Sequence, residues 1–174
     1  DGLVNNASLF EWDAMPVADY AALDRHMHVN VGAPLILASA LAAQVDLTDG
    51  AIVNLLDQKL ANPNPDFLTY TLSKAALAEA TRLLAMRLAP RLRVNAVSPG
   101  ITLPSHDQSD ADFAAVASAN LLERRVALDD VARAVDYLLT ARSITGQNVF
   151  VDCGQRFVRR DGYVMFDTLA RPDA

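Results

Sequence analysis

Apolar runs and helical repeats alternate along the 174-residue chain. Residues 50–56 form an apolar, β-branched run without polar alternation, and Asp57 follows the run directly. This pattern is typical of a strand that is buried on both faces of a parallel sheet. Further strand segments are predicted at residues 91–100 and 148–154, and Leu3 and Val4 predict the end of another.

Between these strands, apolar residues recur at helical spacing, which predicts two long helices. The first would run from Tyr20 to Val45 and the second from Leu68 to Leu88. Pro34 lies inside the first helix and is expected to bend it or to cost it one hydrogen bond. Shorter helices are predicted at residues 111–122 and 131–139, with Asp129 as the N-cap of the latter.

Alternating strands and helices predict an α/β fold, with a doubly wound, Rossmann-like parallel sheet in a single domain over residues 1–174. Ligands bind such sheets at the carboxyl ends of the strands, so residues 5–10, 57–62 and 98–102 are expected to share one cleft. The opening sequence DGLVNNAS predicts a strand already under way. We therefore expect the later two-thirds of a longer fold that lacks its first βαβαβ portion.

Composition narrows the class of partner. The formal net charge is −6 and the arginines are dispersed, which argues against a nucleic-acid surface. The longest mostly apolar segment, residues 29–45, is interrupted by polar residues and proline and is too short to predict a membrane span. The single cysteine is consistent with a reducing, cytoplasmic location. A small-molecule substrate is the predicted partner.

Tyr70 and Lys74 carry the chemistry that spacing alone suggests. Residues four apart project from one face of a helix, and a nearby ammonium favours the phenolate and lowers the pKa of a tyrosine. A tyrosine tuned in this way can exchange a proton with a substrate. Asp57 precedes Tyr70 by thirteen residues, at the end of a predicted strand, and is expected to lie in the same site.

Together these motifs resemble the short-chain dehydrogenase/reductase family. The segment Asn5-Asn6-Ala7 resembles the family's Asn-Asn-Ala-Gly, and Asn30 matches its active-site asparagine. Tyr70 and Lys74 match its catalytic pair, and VNAVSPG (94–100) resembles the strand end that supports the nicotinamide. The resemblance extends as far as Phe157.

Two departures resemble the branch of pteridine reductases and dihydromonapterin reductases. That branch has an aspartate where the family usually has serine, and Asp57 holds this position. It also has Asn-Asn-Ala-Ser followed by an aromatic residue, as in Ser8 and Phe10. The resemblance implies an oxidoreductase that uses NADPH to reduce a pterin-like C=N bond, or a related carbonyl, with proton delivery by Tyr70 and Asp57.

The resemblance also implies roles for individual residues. The catalytic residues would be Asn30, Asp57, Tyr70 and Lys74, with Asn30 positioning a water and Lys74 also holding the nicotinamide ribose. The cofactor-binding residues would be Asn5, Ala7, Ser8, Tyr70, Lys74, Pro99, Gly100 and Thr102. The substrate-binding residues would be Ser8, Phe10, Asp57 and Tyr70, with the Phe10 ring stacked on the pterin. No metal site is predicted, because His106 has no ligand-spaced partner.

Several alternatives remain open at this stage. Phe10 is also typical of a hydrophobic loop anchor, Asp57 of a strand-end cap, and Asn30 of a side chain bonded to its own helix backbone. The fold would also suit a reductase of another carbonyl substrate, or a non-catalytic NAD(P)-binding sensor or structural subunit. The two long helices, rich in Ala and Leu, predict a homodimer or homotetramer. The last dozen residues predict a tail that packs on a neighbouring subunit.

Overall fold

The computed structural model describes residues 1–13, 19–105 and 108–170. A parallel sheet of four strands, in the order β1-β2-β3-β4, forms its centre. The strands are β1 (Gly2–Asn5), β2 (Gly50–Leu55), β3 (Leu92–Pro99) and β4 (Asn148–Val151). All four strands were predicted. β4 ends before residue 154 because the Asp152 carboxylate accepts the backbone N–H groups of Gly154 and Arg156 and turns the chain.

Helices connect the strands. The main ones are α1 (Tyr20–Met27), α2 (Ala33–Ala42), α3 (Leu68–Leu88), α4 (Asp110–Ala117) and α5 (Leu128–Thr140). Three short 3-10 turns occupy Gln58–Ala61, Gln155–Phe157 and Val164–Asp167. The bounds of α3 agree with the prediction from spacing. Within the described residues, no helix is long and apolar enough to span a bilayer.

Both faces of the sheet carry helices, so the predicted doubly wound α/β class is confirmed. Ile52 and Val94 are fully buried against residues of α2 and α3 on one face. Val53 and Val97 point to the opposite face and pack against Leu138 of α5. Successive strand residues alternate between faces, and all six residues of β2 are buried, so β2 shows no alternation of polar and apolar positions; its one polar residue, Asn54, is buried as well.

The predicted helix from Tyr20 to Val45 is interrupted and shorter. A π-helical turn, His28–Gly32, separates α1 from α2, and α2 ends at Ala42. Pro34 has no N–H to donate to the carbonyl of Asn30, so the regular α-helical hydrogen bonding is interrupted at this point. The π-helical turn is a single turn of the kind that occurs inside α-helices. The chain leaves the helix early because Leu47 returns to the core and is 2% exposed.

Two smaller predictions were wrong at helix ends. α4 ends at Ala117 rather than at residue 122, because the Asn120 amide donates to the carbonyl of Ala117 and closes the last turn. Asp129 is not the N-cap of α5; Ala127 holds that position. Asp129 lies in the first turn instead, where a carboxylate interacts favourably with the helix dipole.

The C-terminal segment is not a tail directed away from its own chain. Val164 and Met165 are buried, and Met165 packs with Phe67 and Tyr70 at the start of α3. The backbone N–H of Tyr163 donates to Asp66 over 2.7 Å. Apolar residues in this segment therefore gain burial within the chain and cover the carboxyl-end edge of the sheet.

Candidate active site

Asp57 and Tyr70 meet at the carboxyl end of β2. The Tyr70 hydroxyl donates to Oδ2 of Asp57 over 2.8 Å. Oδ1 of Asp57 accepts the backbone N–H of Lys59 over 2.7 Å and so caps the 3-10 turn that follows. The capping role and the contact with Tyr70 occur together, each using one carboxylate oxygen.

Burial dominates the protonation of this pair. It raises the pKa of Asp57 above 3.8, against the opposing effects of the Lys59 backbone N–H, Tyr70 and the two lysine charges. It also raises the pKa of Tyr70 well above 10, and the Asp57 charge adds to this rise. The expectation that Lys74 lowers the Tyr70 pKa is therefore wrong for this arrangement. Tyr70 is held as a neutral phenol, the form that donates a proton.

Lys74 lies one helical turn after Tyr70 and points toward the same strand end. Its ammonium donates to the carbonyl of Leu55 over 2.8 Å and lies 5.8 Å from the centre of the Tyr70 ring. Burial lowers the Lys74 pKa to about 8, with the Asp57 charge opposing the shift. An ammonium has three hydrogens, so two remain for hydroxyl groups of a ligand.

Asn30 fixes the loop after β1 onto α3. Its amide nitrogen donates to the carbonyl of Leu9 and to the hydroxyl of Ser73, each over 2.9 Å. Its amide oxygen accepts the Leu9 N–H over 2.7 Å and the Ser8 hydroxyl over 3.2 Å. The alternative that Asn30 bonds its own helix backbone is wrong. The π-helical turn is what directs this side chain inward, where it is 1% exposed.

The predicted cofactor residues after β1 divide into two groups. The Asn5 side chain donates to Asn54 over 2.7 Å, and Asn54 in turn donates to Thr81 of α3. The Asn5 side chain therefore joins β1 to β2 inside the core. The predicted contact of Asn5 with a cofactor would then use its backbone and not its side chain. Ala7 and Ser8 are exposed at the edge of the sheet.

The third strand end supplies Pro99, Gly100 and Thr102, all half-buried. A Cβ on Gly100 would lie 2.7 Å from Oε1 of Gln155 and 2.9 Å from Cα of Asp152. Only glycine allows the chain to pass this close to the turn after β4. The segments after β1, β2 and β3 thus lie at one edge of the parallel sheet. That all three share one cleft stays a prediction, because the cleft beside Phe10 and Phe67 is lined by the first segment and not by the other two.

Aromatic residues enclose the Tyr70 ring. Phe10 stacks on Phe67 with ring centres 4.2 Å apart, and it meets Tyr70 edge-on at 4.7 Å. Trp12 and Tyr163 each lie 5.1 Å from Phe67. A cleft of about 620 Å³ opens beside these rings. Its walls include Ser8, Phe10, Trp12, Phe67, Met165 and Phe166.

Three residues of this region carried no sequence signal strong enough to assign them. Lys59 and Phe67 lie between two recognised motifs, and only the fold turns them toward Tyr70. Tyr163 lies more than ninety residues from Tyr70 along the chain and reaches the site because the C-terminal segment folds back. Burial and the Asp57 charge raise the pKa of Tyr163 above its ordinary value.

His106, which we predicted to have no metal-binding partner, lies outside the described residues. Across residues 1–13, 19–105 and 108–170, no three His, Cys, Asp or Glu side chains are grouped closely enough to hold a metal ion.

Comparison with known proteins supports the resemblance. The family model for enoyl-(acyl carrier protein) reductase matches residues 1–156. The dihydromonapterin reductase of Klebsiella pneumoniae is 29% identical over 161 residues, which cover 89% of this chain and 67% of that protein. The FolM alternative dihydrofolate reductase 1 of Brucella canis, solved in complex with NADP, is 46% identical with a TM-score of 0.86. Its counterpart from Brucella suis, also with NADP, is 43% identical with a TM-score of 0.86.

This chain spans only part of these relatives. The region matched to the Brucella canis protein covers 91% of this chain and 64% of that protein. The region matched to the Brucella suis protein covers 99% of this chain and 66% of that protein. The match of the family model over most of the chain, together with the parallel sheet, shows the family without ambiguity. The chain belongs to the short-chain dehydrogenase/reductase family of oxidoreductases.

Proposed function

We propose that this chain carries the catalytic part of an NADPH-dependent reductase that acts on a dihydropterin. The hydrogen bond between Tyr70 and Asp57 carries this proposal, because it places two proton-bearing groups together where the usual family pattern has one tyrosine and a serine. The resemblance to dihydromonapterin reductase and to the NADP-bound FolM structures supports both the substrate class and the cofactor.

The residues present fit a nicotinamide nucleotide. The Lys74 ammonium donates one hydrogen bond to the Leu55 carbonyl at the end of β2 and has two N–H groups left, which suits the hydroxyls of a ribose. Gly100 and Thr102 follow β3, where only glycine fits at position 100. Ala7 and Ser8 lie in the exposed loop that follows β1. When bound, NADPH supplies the hydride. Ala7, Ser8, Lys74, Pro99, Gly100 and Thr102 would hold it, with Asn5 contributing through its backbone.

Tyr70 and Asp57 would supply the proton. Reduction of a C=N bond adds a hydride to carbon and a proton to nitrogen. Tyr70 keeps its proton over the physiological range, as any phenol with a pKa above 10 does, so it carries a proton that it can donate. Asp57 lies one hydrogen bond away and burial raises its pKa, which favours its protonated form; in that form it would return a proton to Tyr70 or donate directly. Asn30 holds the loop that carries Ser8 and so positions the wall of the site.

Phe10 would form one wall of the substrate site. In the structure its ring is already held by Phe67 and Tyr70, which makes it both a loop anchor and a flat surface beside the reacting groups. Aromatic faces offset from one another attract, so a planar pterin ring suits this position better than a small ketone does.

A substrate panel tests the proposal. Full-length protein with NADPH is expected to lose nicotinamide absorbance with dihydromonapterin or dihydrofolate at least ten times faster than with a simple ketone. The flat aromatic wall and the second acid favour the pterin over a carbonyl. Turnover of ketones with none of dihydropterins would instead identify a carbonyl reductase. Binding of NADPH with no turnover of any compound would identify a sensor or structural subunit.

We also propose that two copies associate through α2 and α3. Both helices expose large apolar side chains, including Ile36 at 71% and Met86 at 68% exposure. A second copy of the same surface would remove them from water. Light scattering of the full-length protein is expected to give at least twice the monomer mass, and the double variant Ile36→Glu, Met86→Glu a smaller one. A monomeric wild-type protein would contradict this association.

A further inference from the structure

A buried lysine lies behind the candidate site and has no role in the chemistry described so far. Lys59 is 1% exposed and belongs to the 3-10 turn that Asp57 caps. Lys59 and Lys74 are the two lysines of the chain, and both are buried at this site. Lysine is almost never fully buried unless its charge is paired or hydrogen-bonded.

The Lys59 ammonium bridges the residues that flank Phe67. It donates to the backbone carbonyl of Asp66 and to the hydroxyl of Thr71, the latter over 2.9 Å. The Thr71 hydroxyl donates onward to the carbonyl of Phe67 over 2.7 Å. The ammonium also lies 6.0 Å from the centre of the Phe67 ring and 5.7 Å from that of Tyr163. One charge thus holds the first turn of α3 and the aromatic rings around it.

The segment held in this way has an unfavourable backbone conformation. Phe67 has a φ of 53°, in the left-handed region that a bulky residue rarely adopts. Such conformations persist only where the surroundings enforce them, and they cluster at functional sites. Here the conformation directs the Phe67 ring onto Phe10, three residues before Tyr70.

Stability alone does not explain a cation at this place. The ammonium lies beside the N-terminal turn of α3, where the helix dipole disfavours positive charge. Desolvation lowers the Lys59 pKa to about 8, while the carboxylates of Asp57, Asp66 and Asp13 oppose the shift. Folding therefore works against the charged form of Lys59 at neutral pH, and an apolar residue of similar length would avoid that cost.

The backbone of Lys59 also contacts Asp57, the hydrogen-bond partner of Tyr70. The Lys59 N–H donates to Oδ1 of Asp57, and the Tyr70 hydroxyl donates to Oδ2. We propose that Lys59 is a positioning residue: its backbone orients Asp57 while its ammonium fixes Phe67 and the start of α3, so that Tyr70 stays within hydrogen-bond distance of Asp57. The readout by turnover rests on the proposed reductase function; the structural readout below does not.

Two variants of Lys59 separate positioning from folding. Lys59→Met keeps the length of the side chain and removes the charge, and it is expected to lower kcat for dihydropterin reduction at least ten-fold. The dissociation constant for NADPH and the unfolding temperature are expected to stay close to wild type, because the ammonium contacts Asp66 and Thr71 rather than the residues assigned to the cofactor, and because its charge is costly to bury. Lys59→Arg retains a cation with several donors and is expected to restore most of kcat.

Trp12 provides a readout that needs no substrate. It is the chain's one tryptophan and packs edge-on against Phe67 at 5.1 Å. Its fluorescence is expected to shift in Lys59→Met and to return toward wild type in Lys59→Arg. Thr71→Val, which removes one acceptor of the ammonium, is expected to shift it in the same direction by less. Arg82→Met, on the exposed face of α3, is the control and is expected to leave fluorescence and kcat unchanged.

The positioning role of Lys59 and the proposed reductase function can fail independently of each other. Wild-type kcat and unshifted Trp12 fluorescence in Lys59→Met would overturn the positioning role, as would a fall in unfolding temperature that Lys59→Arg does not reverse. If the wild-type protein reduces no dihydropterin, the proposed function fails. The fluorescence series still tests whether Lys59 positions Phe67.

Discussion

Replacing Tyr70 with phenylalanine is expected to lower kcat for dihydropterin reduction by about 10²- to 10⁴-fold, the range that a positioned proton donor contributes. The substitution removes the hydroxyl that lies 2.8 Å from Asp57 and leaves the ring among Phe10 and Phe67. The affinity for NADPH is expected to change little, because Lys74 keeps its place through the Leu55 carbonyl. Steady-state kinetics and a cofactor titration measure the two quantities.

Tyr163→Phe is the matched control for this experiment. It deletes the same atom from a neighbouring ring of the same aromatic cluster, 5.5 Å from Phe10. Because Tyr70 rather than Tyr163 is hydrogen-bonded to Asp57, the control is expected to keep kcat within several-fold of wild type. Wild-type turnover in Tyr70→Phe, or an equal loss in both variants, would exclude Tyr70 as the proton donor.

Replacing Asp57 with asparagine is expected to abolish most dihydropterin reduction and yet to stabilise the protein at pH 7. Asparagine keeps the shape, its oxygen can still accept the Lys59 N–H, and its nitrogen can donate to the Tyr70 oxygen. It cannot release a proton to Tyr70 or to substrate, so we expect kcat to fall about 10²-fold or more. NADPH binding is expected to persist.

The stability effect of Asp57→Asn depends on pH in a defined direction. Burial raises the pKa of Asp57 above 3.8, so between 3.8 and the raised value the folded protein binds more protons than the unfolded chain. The free energy of unfolding of the wild-type protein therefore falls as pH rises through this window. The asparagine variant does not pay this cost. Its higher unfolding temperature at pH 7 is expected to converge on wild type as the pH approaches 3.8.

Two results would contradict this account of Asp57. An unfolding temperature below wild type at pH 7 would mean that the ionised carboxylate stabilises the fold through its capping bonds. Equal losses of NADPH affinity and of dihydropterin turnover would mean that Asp57 is a structural cap. Asp57→Ser, which restores the residue usual in the family, is expected to reduce pterin turnover more than cofactor binding.

Local pattern was sufficient for most of the fold. The run of β2, in which Asn54 is the one polar residue, indicated burial on both faces, and the spacing of α3 predicted its bounds from Leu68 to Leu88. Pattern failed where a side chain or a distant contact ends an element. Asn120 closes α4, and Asp152 turns the chain after β4. Before Pro34, which has no N–H to donate, the chain forms a π-helical turn instead of a simple bend.

Asp57 and Tyr70, the proposed proton-donating pair, could also be predicted from the sequence, because they lie with Lys74 within eighteen residues and this spacing carries the family resemblance. Their protonation was not accessible. The charge of Lys74 alone predicts a lowered Tyr70 pKa, whereas burial and the facing Asp57 raise it. Desolvation depends on everything that packs around a group, and no spacing along the chain records that.

The sequence by itself determined the α/β class, the order of strands and helices, the family and the candidate pair Asp57 and Tyr70, because these depend on local periodicity and on short motifs. Only the tertiary structure decided what surrounds that pair. Folding brought Tyr163 and Met165 back over the site, placed Phe67 in a left-handed conformation against Phe10, and buried the Lys59 ammonium behind it. These contacts join residues from distant parts of the chain, so they exist only once the core has formed.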